Sequence, residues 1–579
     1  MCSCFLNRQS VNETCNNSIQ LEQFLHYSLI PSVICTMRKN IFLLLTQNSL
    51  STKSDFFLVF LRPLNFAGAF SNRWSLAFAF GATANKVMIM FSEGYFPLQH
   101  VPEWVPALAI LLGAMEVGLS SYPLFACLST RSQIAGSALG FLYTGIWFVV
   151  MLLHITQCPH GQMVGVYENI IFYWPSLLCL IFLLGRFVVT FVKVSWFQFQ
   201  TNQTEDTSFL EVHQAQYVQQ LMRKPPMQQP EKSWIQQKIY KWDPYFQFPS
   251  RMICMAVLAI ICLYMFVVME RYAYMHVSHV LETLELDFES LTMVLCPTGV
   301  WIFTTFTASL TCITYVFHIL ACYRKHMKRL WAGQKEFLPL VFSKLSSSQS
   351  VASIARYSGW QIAYILWGYL VIHIVQCLLG LVFMYIFVLP IMNGEGIKML
   401  KSVGMVIFTI GIFMGFMQMQ IGTASIFFLQ PKISLDDKEK PLALDNRKMF
   451  HNFNYFLFFY NVMLGLSMCL FRLLCSVMVG AWLIARIDRT IMPKGYEAAD
   501  MGFRTWIGML FMDSYHTNPT LICFCHFLLM KTRERQQQTG TLYSHFSNLT
   551  LLTFQGQTGS GASGYDFLFL VLYCSKDYK

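Results

Sequence analysis

The residues that could do chemistry are few and scattered. The chain holds no G-x-x-x-x-G-K-[ST], G-x-S-x-G or H-E-x-x-H string, so the sequence sets up no phosphate cradle, nucleophile elbow or zinc-protease helix. Its 18 Cys include no C-x-x-C pair and no second cluster at zinc spacing. Many of them, such as Cys127, Cys179, Cys262, Cys377 and Cys469, fall inside apolar runs, where thiols pack as small apolar groups. No paired carboxylates and no nucleophile–His pair stand out, so the expectation is no enzyme, no metal and no cofactor. What remains is a set of polar groups inside apolar runs. Lys86 and Arg186 lie near the ends of theirs and can snorkel to an interface. Glu116 and His373 lie near the middle, where an interhelical hydrogen bond is the ordinary explanation and a wet path for ions or protons the alternative.

The elements that must carry these groups are membrane helices. Hydrophobic residues make up 55% of the 579 and charged residues 12%, about half the usual share for a soluble protein. With a mean hydropathy of +0.46, this much apolar surface cannot be hidden in one water-soluble core. The net charge of +11 does not point to nucleic acid, because the basic residues gather in a few loops between apolar runs. The fold class is therefore an all-α integral membrane protein with about nine transmembrane helices plus a re-entrant helical segment.

Apolar runs long enough to span fall at 74–91, 105–128, 134–156, 169–192, 252–269, 292–323, 359–391 and 403–429, with a weaker one at 19–37 marred by Glu22 and Pro31. The Lys and Arg count puts 193–251 and 324–358 in the cytoplasm, whereas 92–104 and 157–168 carry neither residue. The connection 270–291 has one Arg against five acids and reads as an extracellular loop. The organisation is then an extracellular N-terminus (1–18), five spans (19–192), a cytoplasmic loop with an amphipathic helix (193–251), two spans (252–323), a basic loop (324–358) and two spans (359–429). A cytoplasmic link and re-entrant segment (430–485) and a partly disordered tail (486–579) follow. The tract 450–485 is taken to enter and leave on one side because Arg472 lies past its middle, where crossing would cost several kcal/mol; the alternative is one or two further, kinked spans. Asn12 and Asn16 sit in glycosylation sequons on the outer side.

Two cytoplasmic stretches are amphipathic. Tyr217, Val218, Leu221 and Met222 share a helical face ahead of Arg223 and Lys224, and Trp506, Met509 and Leu510 share another near Arg504. Such faces suit either anionic lipid or calmodulin. Cys523 and Cys525, beside the tail, are acylation candidates.

Several strings in fixed order carry a family resemblance. They are Tyr122-Pro-Leu-Phe-Ala-Cys127, Cys158-Pro159 with Tyr167 and Pro175, Tyr217-Val-Gln-Gln-Leu-Met-Arg-Lys224 and Trp360-Gln-Ile-Ala-Tyr364. Val388-Leu-Pro-Ile-Met-Asn-Gly394, Asn446-Arg-Lys448, Phe471-Arg-Leu-Leu474 and Gly495-Tyr496 complete the set. The chain thereby resembles the vertebrate retinol-binding-protein receptor family, named for stimulation by retinoic acid, and most of all its receptor-like paralogue. The resemblance implies a homodimer of nine-span protomers in the plasma membrane, each with a re-entrant helix pair and calmodulin underneath. It implies docking of plasma retinol-binding protein outside, and release of retinol sideways into the lipid bilayer through an apolar cleft, without ATP or a catalytic residue.

That cleft would be lined by the last two spans and the re-entrant tract, with Phe413, Phe416 and Met417 as adaptable apolar wall, Gln361 and Gln418 to orient a hydroxyl, and Arg472 nearby. The founding member docks its carrier through an outward segment holding a Tyr and two closely spaced Gly. Here the corresponding 270–291 has no Gly, and Tyr272, Tyr274, Leu284 and Leu286 are the candidate anchors. Two other readings stay open: a carrier-independent lipophile transporter of the same fold, and a calmodulin-linked scaffold or polar-solute channel.

Overall fold

In a computed structural model of the full chain, the described residues are 21–33, 73–89, 105–129, 133–157, 167–198, 212–222, 246–283, 288–339, 342, 346–432 and 440–539. Asn12, Asn16, Leu284 and Leu286 lie outside them. Among the described residues the protein is all-α, with no strand beyond one isolated bridge between Leu429 and Leu444. It is an all-α integral membrane protein. Eight described helices are long and apolar enough to cross a bilayer.

The helices are α1 (Leu21–Tyr27), α2 (Arg73–Ala82), α3 (Ala84–Ile89), α4 (Val105–Ser129), α5 (Gln133–Gln157), α6 (Glu168–Gln198), α7 (Val212–Met222) and α8 (Ser250–Thr283). Then come α9 (Phe288–Trp331), α10 (Ser347–Phe383), α11 (Leu389–Met392), α12 (Gly396–Thr423), α13 (Arg447–Leu483), α14 (Met501–Thr517) and α15 (Pro519–Thr539). Of the first two expected spans, the described residues are helical in α1, in 29–33 and in the pair α2–α3, and the residues that flank these segments lie outside the described ones. The other seven correspond to long helices.

Two expectations change. The tract 450–485 does not turn back within itself: α13 is one unbroken helix of 37 residues, about 55 Å long, with no Pro to interrupt its hydrogen-bond ladder. Nor is 270–291 mainly a loop, because among its described residues α8 continues to Thr283 and α9 begins at Phe288. Of its five acids, Glu270, Glu282 and Glu289 sit on helical turns, and Glu285 and Asp287 lie outside the described residues. Where a real break occurs, its cause is visible. Pro390 lacks an N–H, the preceding turn Met384–Val388 relaxes to π geometry, and Gly394 at φ 76° closes the turn into α12.

The chain divides into two compact units. The first comprises 1–268, 316–363 and 492–579, and its core joins α1, α2, α4, α5, α6 and α8. Close approach there rests on small residues: a Cβ on Gly140 would stand 2.4 Å from the Phe187 ring. The second comprises 269–315 and 364–491. In it a Cβ on Gly368 would meet Ala485 Cβ at 2.3 Å and its backbone Cα at 2.6 Å. Gly368→Val should therefore cost about 1–3 kcal/mol through forced separation, outweighing the roughly 0.3–0.5 kcal/mol that Val gains over Gly in helix propensity. Thermal unfolding of the detergent-purified protein checks this, and an unchanged midpoint would refute the close contact.

Candidate functional site

The candidate apolar wall lies in the second unit, on α12 and α13. Tyr460 of α13 packs against Phe416 at 5.1 Å between ring centroids and stacks near Phe413 at 6.5 Å. Its hydroxyl donates to the Phe413 carbonyl oxygen at 3.5 Å. One helical turn on, Gln420 Nε2 donates to Asn461 Oδ1 at 2.8 Å. Phe413 and Phe416 thus share a face because they are three residues apart, and Gln420 extends it by four more. Met417 is half-buried, while Gln418 and Arg472 are exposed. The polar member sequence reasoning missed is the Gln420–Asn461 pair; two carboxamides on adjacent apolar tracts were its signal. Gln361 lies in the first unit, 4% exposed, with neither amide atom hydrogen-bonded among the described residues. Such a surface, rings and thioethers broken by one amide pair, suits an elongated apolar ligand with a single polar end.

The expected docking anchors fall elsewhere. Tyr272 is buried on α8, and Tyr274 stacks on Trp301 at 4.4 Å while donating to Thr298 Oγ1 at 3.0 Å. Continuing the helix past the apolar run turned these residues inward, so they are packing groups and not a presented loop. The same helix carries Glu270, whose Oε1 lies 2.7 Å from His373 Nδ1. The opposite ring nitrogen, Nε2, lies 3.1 Å from Thr305 Oγ1, and Trp301 and Tyr369 flank the imidazole. His373 is thus a satisfied link between α8, α9 and α10. Glu116, in the first unit, pairs with His26 of α1. Both central polar groups follow the interhelical hydrogen-bond reading.

Lys86 departs from the snorkelling expectation. It is 7% exposed, donates to Ser121 Oγ at 3.3 Å and sits over the Trp147 ring. The side chain turns into the helical core instead of toward an interface.

Of the two amphipathic stretches, the second is interior. Asp500 caps α14 by accepting from Phe503 N at 3.0 Å, and Trp506, Met509 and Leu510 are at most 1% exposed. They are core residues and present no face to a partner, because α14 is packed nearly all round. On α7 the face is split. Tyr217 meets the Trp331 ring at 5.5 Å and Val218 is buried, whereas Leu221 and Met222 are 61% and 79% exposed. The inward pair docks the helix and leaves only the outer pair accessible. Cys523 and Cys525 are likewise buried, and burial pushes the Cys523 thiol above its ordinary pKa, which removes the accessible thiolate that acylation needs.

Comparison with known proteins adds the following. A family model described as "Retinol binding protein receptor" matches residues 13–560. A mouse (Mus musculus) protein named "Stimulated by retinoic acid gene 6 protein-like" is 53% identical over 559 residues, 92% of this chain and 90% of its own. "Receptor for retinol uptake STRA6" of cattle (Bos taurus) is 25% identical over 226 residues, 38% of this chain and 32% of its own. The human (Homo sapiens) protein of that name is 22% identical over 212 residues, 36% and 31%. The alignment thus spans about a third of the two retinol-uptake receptors.

Proposed function

The chain belongs to the retinol binding protein receptor family, and on that premise we propose that it takes up retinol from plasma retinol-binding protein at the cell surface. The observation that carries the reading is the aromatic seam between α12 and α13, where Phe413 and Phe416 face Tyr460. A polyene alcohol can slide along such a seam and exchange with the surrounding lipid, because the wall offers dispersion contacts and only the Gln420–Asn461 pair for a hydroxyl. Transfer of this kind is downhill partitioning and requires no reacting group. The plasma membrane as its location, a homodimer and contact with calmodulin or anionic lipid through Leu221 and Met222 belong to the same proposal.

A second reading is favoured by one observation. The tyrosines expected to dock the carrier are packed inside α8 and α9, which suits a protein handling free lipophile.

The test is uptake of radiolabelled retinol by cells with verified surface expression, offered free or on its carrier. Saturable uptake that requires the carrier supports the receptor. Equal uptake from both sources supports the second reading, and uptake no greater than in untransfected cells overturns both. Within a positive result, Phe416→Ala should lower uptake about two- to tenfold, the rate equivalent of one aromatic pair. Uptake unaltered by that change would remove the seam from the path.

A further inference from the structure

The core of the first unit contains a buried cation without a carboxylate. Lys86 forms no ion pair among the described residues; their ion pairs involve other groups, with Glu116 held by His26. Among the described residues its ammonium has one hydrogen bond, to Ser121, and the Trp147 ring face 3.7 Å from its Nζ. A ring face stabilises a cation less completely than water or a counter-ion does.

Beside this ammonium lies a cavity of about 20 Å³. Its polar lining is Thr83, Lys86, Ser121, Tyr143, Thr144 and Trp147. Two of these protons are already committed, since Thr83 donates to the Phe80 carbonyl and Tyr143 to the Ser120 carbonyl. Thr144 Oγ1 and Trp147 Nε1 are buried and have no partner among the described residues. Thr144 is 1% exposed and Trp147 4%.

The set holds an ammonium and an indole N–H as pure donors, with hydroxyls as its neutral acceptors and no carboxylate. Water could occupy the volume, which exceeds the roughly 10–15 Å³ that one molecule needs. Water brings no charge, however, and the ammonium in an apolar core lacks one. A single-atom halide supplies that charge and accepts from donors on several sides, as the Lys86 ammonium, the Trp147 N–H and the Thr144 hydroxyl offer here. We propose that this cavity is an anion site in which one chloride-sized ion is held against Lys86. The ion would join α3, which carries Lys86, to Ser121 of α4 and to Thr144 and Trp147 of α5, so that its binding free energy adds to the stability of the unit.

The experiment is thermal and denaturant unfolding of the detergent-purified full chain, titrated with sodium chloride against sodium gluconate at constant ionic strength. Wild type should gain stability saturably with chloride and with bromide. At a hundredfold excess over half-saturation, the unfolding equilibrium constant should fall about a hundredfold. Lys86→Gln should abolish the chloride dependence. Should that variant fail to fold, Thr144→Val removes a single donor and should raise the half-saturating chloride concentration. Unfolding of wild type that is the same in chloride and gluconate would overturn the site and leave a hydrated cavity. Chloride dependence undiminished in Lys86→Gln, or in Thr144→Val where the first does not fold, would overturn it as well.

Discussion

Asp513→Ala should destabilise the protein by about 3–5 kcal/mol, the cost of leaving one charge of a buried pair unmatched. Asp513 is fully buried and its Oδ2 accepts from Arg251 Nη2 at 2.5 Å and from the Tyr323 hydroxyl at 2.7 Å. Arg251 is 2% exposed, so neither partner can turn to water after the other is removed. The pair is not fully satisfied either: Asp513 Oδ1 and Arg251 Nε and Nη1 have no hydrogen-bond partner among the described residues. For that reason replacing both members together, Arg251→Met with Asp513→Leu, should cost much less than either single change. Denaturant unfolding of the two single variants and the double variant checks this as a cycle. Additive losses would mean that the two groups do not depend on each other.

Trp506→Ala should cost about 3–5 kcal/mol by removing the largest fully buried side chain of the same region. The indole is enclosed by the rings of Tyr357 at 5.7 Å, His326 at 6.2 Å and Tyr323 at 6.3 Å. Rings on three sides leave little freedom to collapse into the vacated space, which places the expected loss toward the upper end of the range. A control separates this role from partner binding. Leu221→Ser and Met222→Ser, on the exposed face of α7, should change stability by about 0.5 kcal/mol or less while remaining free to alter calmodulin or vesicle binding. Unchanged unfolding in Trp506→Ala, with calmodulin binding lost, would return Trp506 to the surface role its amphipathic spacing suggested.

Those two sites show how far periodicity reaches. Apolar residues at helical spacing established that 501–517 is a helix with an apolar side, and nothing in the spacing distinguished a face awaiting a partner from a face already covered. The cover comes from Tyr323 and Tyr357, nearly 150 residues or more away in sequence. Charge counting failed similarly at Glu270. A Glu after an apolar run marks a membrane boundary when it meets water, but His373, over 100 residues later, supplies its partner inside the helix bundle.

The sequence by itself determined the class and the family of this protein. Helical membrane spans follow from local composition, since lipid forces each apolar segment to satisfy its own backbone, and family motifs are read in chain order. Seven of the long helices and the chain's membership lay in those local terms. Tertiary structure alone decided which polar groups are paired, which amphipathic faces are covered and that Lys86 turns inward beside a donor-lined cavity. Each of these depends on which distant helix lies alongside, and burial and electrostatics are set by those neighbours and not by the residue or its spacing.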